Sequence, residues 1–399
     1  MRVLIVSSWF PYPPVNGSKL RAYNLLRELA GRHSLSLLTF AEANEASTGD
    51  VRCMRELCEQ VIVVRGHPFK HGRLSGRGLL SPVPRSLVQT FSPEMESRLR
   101  DAIPGHDAAV GLETGAALYL ENEGGLARVF EEAEISWLRA QRDGDRHPAR
   151  RARLAMTWWK YCRFIRGLTD AFERTTVVSE VERQTLLRIG CDPSRVCVVP
   201  NGVAREDLSR PPSRRSPTLV YSGAVTYRAN YDAVLTLVRK IWPIVRSQRP
   251  DVSLVVTGST DDVDLSPLRA DGVMFTGYLE DVKHLVAASA ACVVPLRLGG
   301  GTRLKILESM ALGTPVIATT KGAEGLEITP GEDILIANEP GDFARQVIRV
   351  LDEGGLAERL ARKGRALVDR LYTWDKIGAQ LDTVLREAVD AFHARMAAS

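Results

Sequence analysis

The residues best suited to chemistry lie just after a buried, strand-like run, Ala291–Pro295. Three consecutive glycines, Gly299–Gly301, follow that run, and we expect a helix to begin at Thr302, a good N-cap residue. Glycines let a backbone approach a ligand, and a helix N-terminus offers free N–H groups and a positive dipole end. Arg303 and Lys305 add two cations to this first turn. Cations are unfavourable there unless an anion lies between them, so the pattern predicts a nucleotide diphosphate site.

Glu308 follows Lys305 by three residues, so both side chains lie on one face of the predicted helix. An acid one turn behind a phosphate site is well placed to accept hydrogen bonds from ribose hydroxyls. The alternative interpretation is a surface Lys–Glu pair beside a flexible turn. The segment is not a P-loop, because the G-x-x-x-x-G-K-[ST] spacing is missing. Gly313 is placed to end the helix.

Other motifs point less clearly to chemistry. The sequence Asp262-Val263-Asp264 is a D-x-D motif, which we interpret as solvated surface. The histidines lack a metal-binding spacing such as H-E-x-x-H. We therefore expect no metal site. Asn16-Gly17-Ser18 follows the first strand-like run, but its single glycine is a poor dinucleotide-binding fingerprint. From the residues alone, this loop is either a plain turn or a segment that faces a ligand.

Composition excludes several classes of protein. The chain has 399 residues, 53 Lys and Arg against 48 Asp and Glu, and a net charge of +5. The hydrophobic content of 44% is that of a globular protein, which excludes disordered, collagen-like and disulfide-scaffold chains. The small excess of positive charge argues against a dedicated nucleic-acid binder. No apolar run approaches the roughly 20 residues that cross a bilayer.

The elements that must position these residues are short β-branched runs alternating with helical patterns, in two successive sets. The first set of runs is Val3–Ser7, Ser34–Phe40, Val61–Val64, Ala108–Leu112, Arg128–Phe130, Thr176–Ser179 and Val196–Val199. The second set is Thr218–Ser222, Ser253–Thr257, Val273–Thr276, Ala291–Pro295 and Val316–Ala318. Strands separated by helices predict parallel sheets with right-handed crossovers. We therefore predict two doubly wound, Rossmann-like α/β domains that face each other across a cleft, joined by a linker near 200–217.

Several of these segments resemble family 4 of the retaining, nucleotide-sugar-dependent glycosyltransferases, over about residues 1–390. The likeness is closest to the sugar transferases of exopolysaccharide and exosortase (PEP-CTERM)-associated systems. The segments that carry it are Gly299–Ala318, Asn201-Gly202-Val203, Val177-Val178-Ser179-Glu180, Val3–Ser8, Pro11-Tyr12-Pro13-Pro14, Asn16-Gly17-Ser18 and Thr373-Trp374-Asp375.

The resemblance implies a GT-B fold, with an acceptor-side domain at residues 1–203 plus a crossing helix at 375–399, and a donor domain at 204–374. It implies transfer of a sugar from a nucleoside-diphosphate sugar to a hydroxyl of a growing glycan, a lipid-linked glycan or a small molecule, with retained anomeric configuration and without a cofactor. The residues that it implies for catalysis are Arg303, Lys305 and Glu113. Those that it implies for substrate binding are Gly17, Ser18, Gly223, Gly300, Gly301, Thr302 and Glu308.

The chain departs from the family pattern at three positions. Gly300 occupies the place of the first of two acids that commonly lie eight residues apart, and Glu113 replaces a common His. The first strand of the second domain is followed by Gly223-Ala224-Val225, without the usual Arg. Two alternatives therefore stay open: a catalytically weak sugar-nucleotide-binding subunit of a polysaccharide assembly, and a sugar-nucleotide epimerase.

Basic and aromatic residues interleave between Arg142 and Arg166. They are Arg146, Arg150, Arg151, Arg153, Trp158, Trp159, Lys160, Tyr161, Arg163 and Phe164. This composition suits an amphipathic helix on an anionic membrane, and it predicts peripheral contact at the inner membrane face. The alternative is a long helix between strands whose aromatic side chains belong to the core. The six scattered cysteines form no C-x-x-C pair, which predicts reduced thiols in a cytoplasmic protein.

Overall fold

The computed structural model describes residues 1–42, 45–66, 92–144, 147–210, 215–299, 301 and 303–398. The chain divides into two compact units. The first contains Met1–Asn201 together with Trp374–Ser399, and the second contains Gly202–Thr373. Each unit is an α/β structure built on a parallel sheet.

The first unit contains a seven-stranded parallel sheet in the order β3-β2-β1-β4-β5-β6-β7. Its strands are β1 (Arg2–Ser7), β2 (Ser34–Ala41), β3 (Gln60–Arg65), β4 (Ala108–Leu112), β5 (Ala127–Glu131), β6 (Arg174–Val177) and β7 (Val196–Val198). Both faces of the sheet are buried, since Val3 and Ile5 pack in one hydrophobic cluster and Leu4 and Val6 in another. Burial on both faces explains why the strands are runs of apolar residues rather than alternating patterns.

Eight helices lie in the described part of the first unit. They are α1 (Gly17–Ala30), α2 (Thr48–Arg55), α3 (Pro93–Ala102), α4 (Glu113–Leu120), α5 (Ser136–Gly144), α6 (Pro148–Ala171), α7 (Glu180–Arg188) and the C-terminal helix (Trp374–Ala398). The C-terminal helix packs on α1, where Ile377 and Leu381 join Leu25 in one cluster. A Cβ on Gly378 would lie 2.3 Å from Glu28 Cβ, so this close approach requires glycine.

The second unit contains a six-stranded parallel sheet in the order β10-β9-β8-β11-β12-β13. Its strands are β8 (Ser216–Ser222), β9 (Ser253–Thr257), β10 (Val273–Gly277), β11 (Ser289–Val294), β12 (Val316–Ala318) and β13 (Leu335–Ile336). Its helices are α8 (Arg205–Ser209), α9 (Arg228–Thr236), α10 (Trp242–Gln248), α11 (Val282–Ala288), α12 (Leu304–Ala311), α13 (Pro340–Asp352) and α14 (Leu356–Leu371).

A proline and a glycine lie at helix boundaries of the second unit. A π-helical turn, Leu237–Ile241, joins α9 to α10, and Pro243 lies in the first turn of α10, where its missing N–H is tolerated. The helix after the glycines begins at Leu304, so the predicted start at Thr302 was wrong; Arg303, which makes no side-chain cap, precedes its first residue. Gly313 has φ 76° just beyond the helix, which confirms its predicted role in helix termination.

Candidate functional site

The carboxyl edge of the second sheet brings several predicted site residues together. β8 ends at Ser222 and is followed by Gly223, while β11 ends at Val294 and leads through Gly299 to α12. β8 and β11 are neighbouring parallel strands, so both connections leave the sheet at the same edge. Ligands of open α/β sheets bind at this edge.

Lys305 is held by neutral oxygen atoms at that edge. Its Nζ donates to Tyr221 Oη at 3.1 Å and to Asn230 Oδ1 at 3.0 Å, and lies 4.2 Å from the centre of the Tyr221 ring. Tyr221 Oη in turn donates to Asn230 Oδ1 at 2.7 Å. A Cβ on Gly223 would lie 2.5 Å from Lys305 Nζ, so glycine is required for the ammonium to reach this position.

The charge on Lys305 is poorly compensated. Burial, together with the neighbouring Arg303 guanidinium, lowers the pKa of Lys305 to about 8, against the opposite effects of Cys292 and Glu308. Among the described residues, no carboxylate lies within ion-pair distance of Lys305 Nζ. The arrangement therefore places an ammonium without a carboxylate partner beside the Arg303 guanidinium, and a bound anion would compensate the Lys305 charge.

Arg303 is buried, at 7% exposure, and engages the loop around it. Its Nη2 donates to the carbonyl oxygens of Gly299 at 3.0 Å and Lys321 at 3.3 Å, and lies 3.9 Å from Glu324 Oε2. These contacts tie the glycine-rich loop to the turn after β12. Gly301 is described and has φ 76°, whereas the predicted ligand residues Gly300 and Thr302 lie outside the described residues.

Glu308 lies near Lys305 and beside a second pair of charges. Lys283 Nζ contacts both carboxylate oxygens of the buried Asp207 at 2.8 Å. Burial raises the pKa of Glu308 to about 7, with Lys283 and Lys305 opposing this rise and Asp207 adding to it. Because burial favours the neutral form, the Glu308 carboxyl can donate as well as accept a hydrogen bond.

The predicted residues of the first unit meet at the carboxyl edge of its own sheet. Gly17 begins α1, and the preceding Asn16 caps that helix by accepting from Lys19 N at 3.0 Å. Glu113 directly follows β4 with φ 65°, a left-handed conformation that is uncommon for Glu. Burial and the neighbouring Glu132 and Glu131 raise the pKa of Glu113 well above its usual value, and the Ser18 side chain acts in the opposite direction.

Sequence reasoning missed a buried ion pair next to Glu113. Arg21 contacts Glu131 through Nε at 2.8 Å and through Nη2, and it donates to the carbonyl oxygens of Val199 and Pro200 at 2.8 Å. Glu132 follows β5 with φ 64°, and burial raises its pKa to about 8, with Arg21 opposing and Glu131 adding. Positive φ values at non-glycine residues concentrate at functional sites, but Glu gives no sequence signal for them.

The described residues contain neither a metal-binding cluster nor a membrane-spanning helix. No three His, Cys, Asp or Glu side chains come together there as metal ligands would, and the carboxyl cluster around Arg21 is no exception. Each helix in those same ranges is too short or too polar to span a bilayer.

Residues 216–353, most of the second unit, match the family model "Glycosyl transferases group 1". The chain is 28% identical over 184 residues to the GDP-mannose-dependent monoacylated alpha-(1-6)-phosphatidylinositol monomannoside mannosyltransferase of Corynebacterium glutamicum. That match covers 43% of this chain and 47% of the relative, so it spans about half of the relative's length. The family model and this relative thus show a similarity of the second unit to group 1 glycosyltransferases.

Solved structures match over nearly the whole chain. Sucrose-phosphate synthase from Thermosynechococcus elongatus has a TM-score of 0.68 at 18% identity, covering 98% of this chain and all of that one. HepE from Anabaena, in complex with UDP and glucose, has a TM-score of 0.66 at 13% identity, covering 96% of this chain and 99% of its own. With two parallel-sheet Rossmann-like units, the chain has the predicted GT-B fold.

Proposed function

We propose that this protein transfers a sugar from a nucleoside-diphosphate sugar to a hydroxyl group of a glycan or lipid-linked glycan, with retained anomeric configuration. The family model and the relatives support a glycosyltransferase, and they favour neither an epimerase nor a catalytically weak binding subunit. The retaining, family 4 character and the closeness to exopolysaccharide systems rest on the sequence resemblance.

The observation that carries the proposal is the environment of Lys305. A partly buried ammonium with only neutral hydrogen-bond partners, beside the Arg303 guanidinium, is an unfavourable arrangement unless an anion compensates its charge. A diphosphate against Gly223 would compensate both cations and receive N–H groups from the start of α12. Arg303, which is bound to the glycine loop through the Gly299 carbonyl oxygen, would add its positive charge. Glu308 would accept hydrogen bonds from the ribose hydroxyls.

In the proposed reaction, the bond between the sugar anomeric carbon and the diphosphate oxygen breaks, and a bond to the acceptor oxygen forms on the same face. The leaving diphosphate oxygen takes the proton of the acceptor hydroxyl. Lys305 and Arg303 would stabilise the negative charge that grows on the leaving group, which is preorganised electrostatic catalysis. Glu113, with Gly17 and Ser18 beside it, would contact the acceptor hydroxyl.

The names of two similar proteins suggest which donor and which acceptor to test first. HepE is bound to UDP, and the C. glutamicum relative is named for GDP-mannose and for a phosphatidylinositol acceptor. We therefore propose UDP and GDP as the first nucleotides to test, and a lipid-linked glycan as the first acceptor.

A thermal-shift screen of UDP, GDP, ADP and dTDP tests the donor site and identifies the base. Ligand at about 100 times its dissociation constant stabilises the folded state by about 2.7 kcal/mol, which is a readily measured rise in Tm. One nucleotide should stabilise the protein, and the matching nucleotide sugar should then be consumed only when an acceptor is present. Stabilisation by none of the four would contradict the proposal.

A further inference from the structure

Helix α6 carries apolar side chains on two opposite faces. Its inward face packs into the core of the first unit through Ile165 and Leu168, which are fully buried. On the outward face, Met156 is 52% exposed and Trp159 is 60% exposed. Because a solvent-facing helix surface is normally polar, an exposed Trp and Met one turn apart form an apolar patch that none of the described residues covers.

Cations surround these two side chains. Arg163 continues the outward stripe one turn after Trp159, with its guanidinium 5.7 Å from the Trp159 ring, and Arg150, Arg151 and Arg153 are exposed in the first turns. From Pro148 to Thr169 the helix contains no acidic residue. Among the described residues, none is an ion-pair partner of these four arginines.

We propose that the outward face of α6, formed by Arg153, Met156, Trp159 and Arg163, is a docking surface for an anionic lipid bilayer. Trp and Met insert at the boundary between headgroups and acyl chains, and arginines on both sides of them contact lipid phosphates. Trp favours that boundary because its ring is amphipathic. The alternative of core aromatic side chains holds for Trp158, Tyr161 and Phe164, which pack against the core, whereas Trp159 lies outside it.

The same helix reaches the carboxyl edge of the first sheet. Tyr161, two residues after Trp159, interacts with the side chain of Thr114, which is next to Glu113. A bilayer held on one face of α6 would thus lie one helix away from the predicted acceptor-binding residue. The delivery of a lipid-linked acceptor along this route rests on the proposed function, whereas the membrane contact rests on α6 alone.

Flotation of the purified full-length protein with vesicles tests the contact without donor or acceptor. The protein should float with phosphatidylcholine vesicles that contain 30% phosphatidylglycerol, float much less with pure phosphatidylcholine, and dissociate at high salt. Each arginine near an anionic surface contributes about fivefold in binding, so R153Q/R163Q should bind about 25-fold more weakly. M156S/W159S should lose binding to both vesicle types.

The second unit offers matched controls. M274S/Y278S removes two large side chains that are at least as exposed as Met156 and Trp159, and R359Q/R362Q removes the same charge from α14. Both control variants should float like the unmodified protein. Negligible flotation with either vesicle type would overturn the proposal and would leave an acidic protein as the partner of this face. Equal loss of binding in R153Q/R163Q and R359Q/R362Q would also overturn it, while the proposed sugar transfer would stand in either case.

Discussion

Replacing Lys305 by methionine should stabilise the protein and abolish donor binding. Burial lowers the pKa of Lys305 from 10.5 to about 8, so the folded state disfavours the charged form by up to about 3 kcal/mol. Because the folded-state pKa lies below the unfolded one, this destabilisation is complete below about pH 8 and fades as the pH rises toward 10.5. Methionine fills a similar space without charge, and the hydrogen bond from Tyr221 to Asn230 remains.

Urea denaturation at pH 7 should therefore show a higher free energy of unfolding for K305M, by up to about 3 kcal/mol, with the gain shrinking at pH 10. Calorimetry should show that the same variant no longer binds the diphosphate found in the screen. K283M is a matched control of opposite sign, because it removes the close ion-pair partner of the buried Asp207 and leaves only Arg210, at 3.9 Å; it should destabilise by about 1 to 3 kcal/mol. The reasoning would be refuted if K305M were destabilised like K283M, or if it bound the diphosphate normally.

Three further variants test other parts of the account. R303A should lower turnover by orders of magnitude, since it removes a cation next to Lys305 and a link between Gly299 and the turn after β12; near-normal turnover would reject this role. E113A should raise the KM for the acceptor by about tenfold, because it removes one hydrogen bond to the acceptor hydroxyl, while diphosphate affinity in calorimetry stays unchanged; a loss confined to diphosphate affinity would contradict this role. R21M should reduce the free energy of unfolding by about 3 to 5 kcal/mol, because Glu131 is left charged and buried; urea midpoints equal to those of the unmodified protein would contradict this.

Much of the fold could be predicted from local pattern. The twelve predicted strands all occur, because each is a run of β-branched and apolar residues that a doubly covered parallel sheet requires. β13 was not predicted, since Leu335–Ile336 is too short to give a periodic signal. Thr302 has a side chain typical of an N-cap, but Arg303 precedes the helix instead and uses its guanidinium to bind the loop carbonyls.

The candidate site was predictable in its location but not in its internal contacts. Lys305 and Gly223 are far apart in the sequence, and the family resemblance named both; the structure places them side by side, while their contact with a donor stays a prediction. Tyr221 and Asn230, which orient Lys305, carry no sequence signal because their role arises only when β8 and α9 pack. The positive φ of Glu113 could not be predicted from the sequence either, since that conformation is imposed by the surrounding fold.

The central claim is that a diphosphate binds against Lys305 and keeps it charged. Calorimetric titration with the diphosphate at pH 8.5, in two buffers of different ionisation enthalpy, measures proton uptake on binding directly. With a free-state pKa of about 8, the unmodified protein should take up about three quarters of a proton per nucleotide, and its affinity should fall as the pH rises further. If K305M still binds the diphosphate measurably, it should do so without proton uptake. Binding without proton uptake by the unmodified protein would contradict the claim.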